Sequence, residues 1–188
     1  VIGAPPIPIV NYDTSAYFAV VYYVPLGYPA FVHGIFALTG SLKAIVIAQL
    51  AIFCLSVLAL QTGLQALTRS PAFAGATALI LLMLPSLTTY ANNLLTEQLF
   101  TATLLFHATA AAWCFARPSR TALGALAVTA VLAVALRPAG FFLFGGILFL
   151  LLFWHGHRAQ LLRWCVVPLV VLVGVNATIR YAVHGSAP

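Results

Sequence analysis

Long apolar runs divided by short polar breaks set the pattern of this chain. A spanning helix needs roughly 20 mostly apolar residues. Six runs read as spanning helices: Leu42 to Leu67, Ala72 to Thr89, Asn93 to Phe115, Thr121 to Leu136, Gly140 to Trp154, and Leu161 to Tyr181. The breaks between them are "TRSP", "YANN", "RPSR", "RPAG" and "HGHRAQ", each with turn-forming or helix-terminating residues. The first segment, Val1 to Val24, does not qualify. Its "VIGAPPIPIVNYDTSAYF" holds three prolines and then Asn11, Asp13, Thr14 and Ser15, which predicts an ordered loop whose tyrosines suit an interface. Pro25 to Gly40 is apolar but short, with Pro29 placed to start a helix and Gly40 to end one. It predicts a juxtamembrane or half-inserted helix, not a full span.

The expected architecture is an all-α integral membrane protein of about six transmembrane helices plus that short helix. Residues 1–24 form an extracytoplasmic loop, 25–40 the juxtamembrane helix, 42–181 the bundle and 182–188 an outer tail. Composition agrees: the 188 residues are 63% hydrophobic and only 5% charged, against roughly 25% charged in soluble domains. Starting at Val1 with no basic leader before the first apolar run, the chain reads as a piece of a longer membrane protein.

Charge then orients the bundle. Eight Lys and Arg stand against two acids, a formal net charge of +6. In a membrane chain such an excess reports topology, and nucleic acid is not an expected partner. Alternate breaks carry Arg69, then Arg117 and Arg120, then Arg158 and Arg163, which places them on the cytoplasmic side. The opposite side receives Lys43, Arg137 and Arg180 together with both acids, Asp13 and Glu97.

That outer layer holds the candidate chemistry. Glu97 falls in the first turn of a predicted helix, where Asn92 or Asn93 caps it and the positive end of the helix dipole favours a carboxylate. Arg137 follows a predicted helix of 16 residues, short for a span, so its "RPAG" turn is expected below the surface, where an arginine needs a carboxylate or phosphate partner. Glu97 is near enough in this topology to be that partner. A purely structural Glu97–Arg137 pair and a pair that lines a site are both open. Only Asp13 and Glu97 are available as carboxylate bases. Asp13, beside Tyr12 and Tyr17, is either an Asx-turn residue or a base presented to substrate. Tyr28 belongs to the same layer.

Other features carry less. Cys54, Cys114 and Cys165 lie apart within apolar runs, with neither metal spacing nor a disulfide framework. His155 and His157 read as loop residues, and His107 as an interhelical hydrogen-bonding group. The sequon at Asn176 lies inside an apolar run.

The order of "YDTSAY", "PLGYPAFVHGIFALTGS", "LLTEQLFTATLLFHATAAAW" and "ALAVTAVLAVALRPAGFFLF" resembles the membrane core of bacterial GT-C glycosyltransferases. These are the polyprenyl-phosphate-sugar enzymes related to protein mannosyltransferases and aminoarabinose transferases. The resemblance covers Asn11 to about Leu152. It implies transfer of a sugar from a polyprenyl-phosphate donor to the hydroxyl of a lipid, glycan or protein acceptor, with inversion. It places a catalytic base at Asp13 and substrate-binding roles at Glu97 and Arg137; the predicted outer layer adds Lys43 as a second cation, with Tyr12, Tyr17, Tyr28, Asn92 and Asn93 around them. It fixes no cofactor and is compatible with a divalent metal. It implies a multi-pass protein of the bacterial inner membrane whose active face is extracytoplasmic. Family members usually carry a helix before the first outer loop, and some show two adjacent acids there; here Asp13 stands alone. The competing reading is a non-catalytic or transporter-like helical membrane protein with an intramembrane Glu97–Arg137 pair.

Overall fold

The computed structural model describes residues 25–84, 94, 96–117, 119–143, 170, 173–174 and 178. Five α-helices are delimited among them: α1 (Gly27–Thr39), α2 (Leu42–Thr68), α3 (Pro71–Met83), α4 (Thr96–Ala116) and α5 (Arg120–Leu136). A 3-10 turn, Pro138–Phe141, follows α5. The described residues contain no strand. Val170, Val173, Gly174 and Thr178 are helical, inside the predicted run 161–181. The rest of that run, most of Gly140 to Trp154 and the whole of the first 24 residues lie outside the described set.

Among the described residues, two helices are long and apolar enough to cross a membrane. These are α2, with 27 residues, and α4, with 21, about 40 and 32 Å at 1.5 Å per residue. At 13 and 17 residues, α3 and α5 reach only about 20 and 26 Å. Large apolar side chains stand exposed on all four helices: Ile47 and Leu58 on α2, Phe73 and Ile80 on α3, Phe115 on α4, and Leu132 on α5. Helices apolar on the outward as well as the inward face suit a lipid surround.

Local chemistry explains where the helices stop. Gly40 takes a left-handed φ of 63° and returns its N–H to the Phe36 carbonyl at 2.7 Å, closing α1. In the "TRSP" break, Arg69 ends α2 with φ 58°. Ser70 Oγ then accepts the Phe73 N–H at 3.2 Å, and Pro71 opens α3. Ser119 caps α5 in the same way, through the Ala122 N–H at 3.1 Å. One boundary differs from the sequence reading. The predicted run Ala72 to Thr89 passes through Pro85, but α3 ends at Met83 and Leu84 is extended. Proline disfavours the helical conformation at the residue before it, and that local rule overrides the apolar pattern.

Helices α2 and α4 form the spine of the bundle and run parallel. Ile45 clusters with Leu94 and Leu99 at one end, Phe53 and Val57 meet Ala102 midway, and Gly63 lies against Thr109 further along. Helix α3 returns antiparallel beside α2, placing Ala78 on Phe53 and Val57. Helix α5 returns beside α4, where Leu123, Leu126, Ala127 and Ala130 pack on Ala110 and Cys114. Small residues at this seam let the backbones approach closely. His107 Nδ1 lies 3.0 Å from Thr129 Oγ1 across the same seam, the interhelical role expected of it.

This alternation gives the bundle two ends. One gathers α1, the starts of α2 and α4, and the end of α5. The other gathers the ends of α2 and α4 with the starts of α3 and α5.

Candidate functional site at the acid-bearing end

The first end is built on an apolar cluster. Tyr28 and Val32 of α1, Ile45 of α2, Leu94 and Leu99 beside and within α4, and Leu136 of α5 are all buried in it. Four separate segments thus converge beneath the residues that carry charge. Tyr28 stacks on Phe31 with ring centroids 6.2 Å apart. It lies at the expected end but is fully enclosed, so it packs the floor of the site.

Glu97 and Arg137 meet above this cluster. Arg137 Nη1 lies 3.2 Å from Glu97 Oε1, and their side chains are 40% and 35% exposed. The guanidinium also stands over the Phe100 ring, 5.8 Å from its centroid. Thr96 Oγ1 donates to Glu97 Oε2 at 3.5 Å. Each charge suits its helix terminus. Glu97 is in the first turn of α4, and Arg137 caps the C-terminus of α5, the two positions that the helix dipole favours for an acid and a base.

Two glycines fix where Arg137 stands. A Cβ at Gly140 would overlap the backbone of Ala133 and Val134, so only glycine lets the 3-10 turn fold back onto α5. A Cβ at Gly27 would come within 2.5 Å of the Ala135 carbonyl oxygen, so α1 rests directly on the last turn of α5. Arg137 lies between these two close approaches. The shortness of α5 contributes as well, because it keeps Arg137 next to Glu97 and Phe100.

Lys43 is exposed at the second residue of α2, at the same end. The described ion pair of Glu97 is with Arg137, not with Lys43. A cation in the first turn of a helix is set against the dipole, so local stability does not account for Lys43. The remaining site candidates, Asp13, Tyr12, Tyr17, Asn92 and Asn93, lie outside the described residues. Among the described residues no group of three His, Cys, Asp or Glu side chains is placed to hold a metal ion.

Sequence reasoning missed Gln98. It is only 4% exposed, and neither atom of its amide has a hydrogen-bond partner among the described residues. Leaving such a group buried costs about 1–3 kcal/mol. The only signal in the sequence is its place beside Glu97 in an apolar run.

The chain matches no family model, no curated protein and no solved structure.

Proposed function

We propose that the acid-bearing end is the transfer site of a membrane glycosyltransferase that takes a sugar from a polyprenyl-phosphate donor. The observation that carries this reading is the Glu97–Arg137 pair: half-exposed, at helix ends, and seated on an apolar cluster. Glu97 engages Arg137 at a single nitrogen, so other N–H donors of the guanidinium remain for an anion. A lipid phosphate is amphiphilic in the matching sense, with its charge at the pair and its prenyl chain along the apolar helix faces.

The reaction follows from these groups. Asp13 accepts the proton of an acceptor hydroxyl as its oxygen attacks the anomeric carbon. The bond from that carbon to the phosphate oxygen breaks, and the electron pair leaves with the polyprenyl phosphate. Attack opposite the leaving group inverts the centre. Arg137 stabilises the charge that grows on the phosphate, Glu97 fixes the direction of its guanidinium, and Lys43 adds a second cation. On this reading the protein is multi-pass in a bacterial inner membrane, with this end extracytoplasmic. A solute path would place its polar pair near mid-span. The helix-end position of Glu97 and Arg137 weighs against that alternative.

The test uses membranes containing the full-length protein and radiolabelled polyprenyl-phosphate sugars, with label followed from the lipid to the acceptor fraction. Asp13→Asn abolishes transfer at unchanged protein abundance. Arg137→Gln lowers the rate by about 100-fold or more, the scale of a lost transition-state donor. Full activity in the Asp13→Asn protein removes this mechanism.

A further inference from the structure

The opposite end of the bundle carries a second feature, independent of the transfer reading. A cavity of about 960 Å³ opens among the ends of α2 and α4 and the start of α5. Arg69 and Arg117 line it, with Gln65, Ser119 and Thr121 among its polar groups and Trp113 in its wall; several alanines make up the remainder. Both arginines are exposed. The chain has only two acids. Glu97 is committed at the far end, so no carboxylate among the described residues neutralises this pair. A topological excess of cations needs no cavity. Arg120 illustrates this, being exposed at the same end yet outside the cavity lining.

Arg69 adds a second point. Its φ of 58° is left-handed, and it is the only non-glycine residue so placed among those described. Glycine is the usual residue at such a helix end, and an L side chain there costs about 1 kcal/mol or more. The protein keeps a long cation at this position despite that cost.

We infer that this cavity binds the phosphate headgroup of an anionic membrane phospholipid, with Arg69 and Arg117 as the phosphate ligands. Basic pockets between spanning helices on the cytoplasmic side have this chemistry. The hydroxyls and Gln65 serve the polar headgroup, and Trp113 with the alanines faces the glycerol and the first acyl carbons. The volume suits a ligand of that size.

Trp113 is a built-in reporter. The chain has three tryptophans, and replacing Trp154 and Trp164 with phenylalanine isolates it. That protein is placed in phosphatidylcholine bilayers containing either dibrominated phosphatidylglycerol or dibrominated phosphatidylcholine, and Trp113 quenching is followed. The phosphatidylglycerol probe reaches half-maximal quenching at a mole fraction about tenfold lower. Arg69→Gln and Arg117→Gln each cut that preference by about fivefold. Arg120→Gln removes the same charge from the same end and leaves the preference in place. Ala66→Leu, which narrows the cavity without changing charge, also reduces it, so the test stands even if an arginine variant fails to fold. Equal quenching by the two lipids overturns the proposal. So does an Arg120→Gln effect as large as that of Arg117→Gln, which would show general surface attraction. Loss of the preference on adding millimolar inorganic phosphate would reassign the cavity to a free anion and overturn the lipid assignment.

Discussion

At one end of the bundle Arg137 is held by a carboxylate and an aromatic ring; at the other, Arg69 and Arg117 surround a cavity with no described carboxylate in reach. The side chain is the same, and its surroundings decide what it does. Glu97 and Phe100 restrict the direction of Arg137, which is what the proposed transfer reaction requires of a transition-state donor. Arg69 and Arg117 keep their full charge available to a ligand that arrives already ionised. One acid, placed on α4 and not on α2, separates a fixed arginine from available ones.

The comparison breaks most severely if the backbone around Arg137 is moved. Gly140→Ala forces a Cβ into the backbone of Ala133 and Val134. It destabilises the protein by about 2–3 kcal/mol, the scale of overpacking in a tight core. Thermal unfolding in detergent measures this as a lowered midpoint. Gly34→Ala in α1 is the control, since nothing lies within 4 Å of the added Cβ. It stabilises by about 0.5–1 kcal/mol through helix propensity. If both substitutions have the same small effect, the close approach of the 3-10 turn to α5 is wrong.

A smaller effect sharpens the contrast in fixation. A double-mutant cycle with Glu97→Gln and Arg137→Gln gives a coupling of about 0.5–1 kcal/mol, the value for a half-exposed pair. The same cycle between Glu97 and Arg117 gives none, because the two residues lie at opposite ends. Equal coupling in both cycles would mean that long-range charge, and not the contact, is being measured.

The smallest effect concerns the other end. Arg69→Gly relieves the left-handed conformation, and glycine's greater loss of chain entropy offsets part of that gain, so α2 is stabilised by about 1 kcal/mol or less. In the lipid-quenching assay the same substitution lowers the phosphatidylglycerol preference. A more stable protein that binds lipid less well is the signature of a residue kept for its charge. Unchanged lipid preference would leave Arg69 as a helix end alone.

Much of the frame was legible in the sequence, for local reasons. Gly40, Ser70 with Pro71, and Ser119 mark helix ends through chemistry that acts within a few residues, so the boundaries of α1, α2 and α5 fall close to where they were expected. The pairing of Arg137 with Glu97 followed from the shortness of the apolar run before Arg137 and the scarcity of acids. Pro85 is visible in the sequence too, and its restriction of Leu84 outranks the apolar pattern around it. What remained hidden depends on contacts between segments. Nothing in "RPAG" reveals that Gly140 presses on Ala133, nor does "PLGYP" show that Gly27 lies on Ala135. The burial of Gln98 depends on which face of α4 meets its neighbours, and an evenly apolar helix does not announce that. Arg69 and Arg117 read as topology signals alone until the helix ends enclosed a cavity between them.

The most direct test of the two-ended account is sidedness. In a cysteine-free background, Lys43→Cys and Arg117→Cys are introduced one at a time, and oriented membrane vesicles are treated with a membrane-impermeant maleimide. The account predicts that Cys at 43 is labelled only from the extracytoplasmic face and Cys at 117 only from the cytoplasmic face. Labelling of both from the same face would contradict it, because the arginine paired with Glu97 and the arginines of the cavity would then share one compartment.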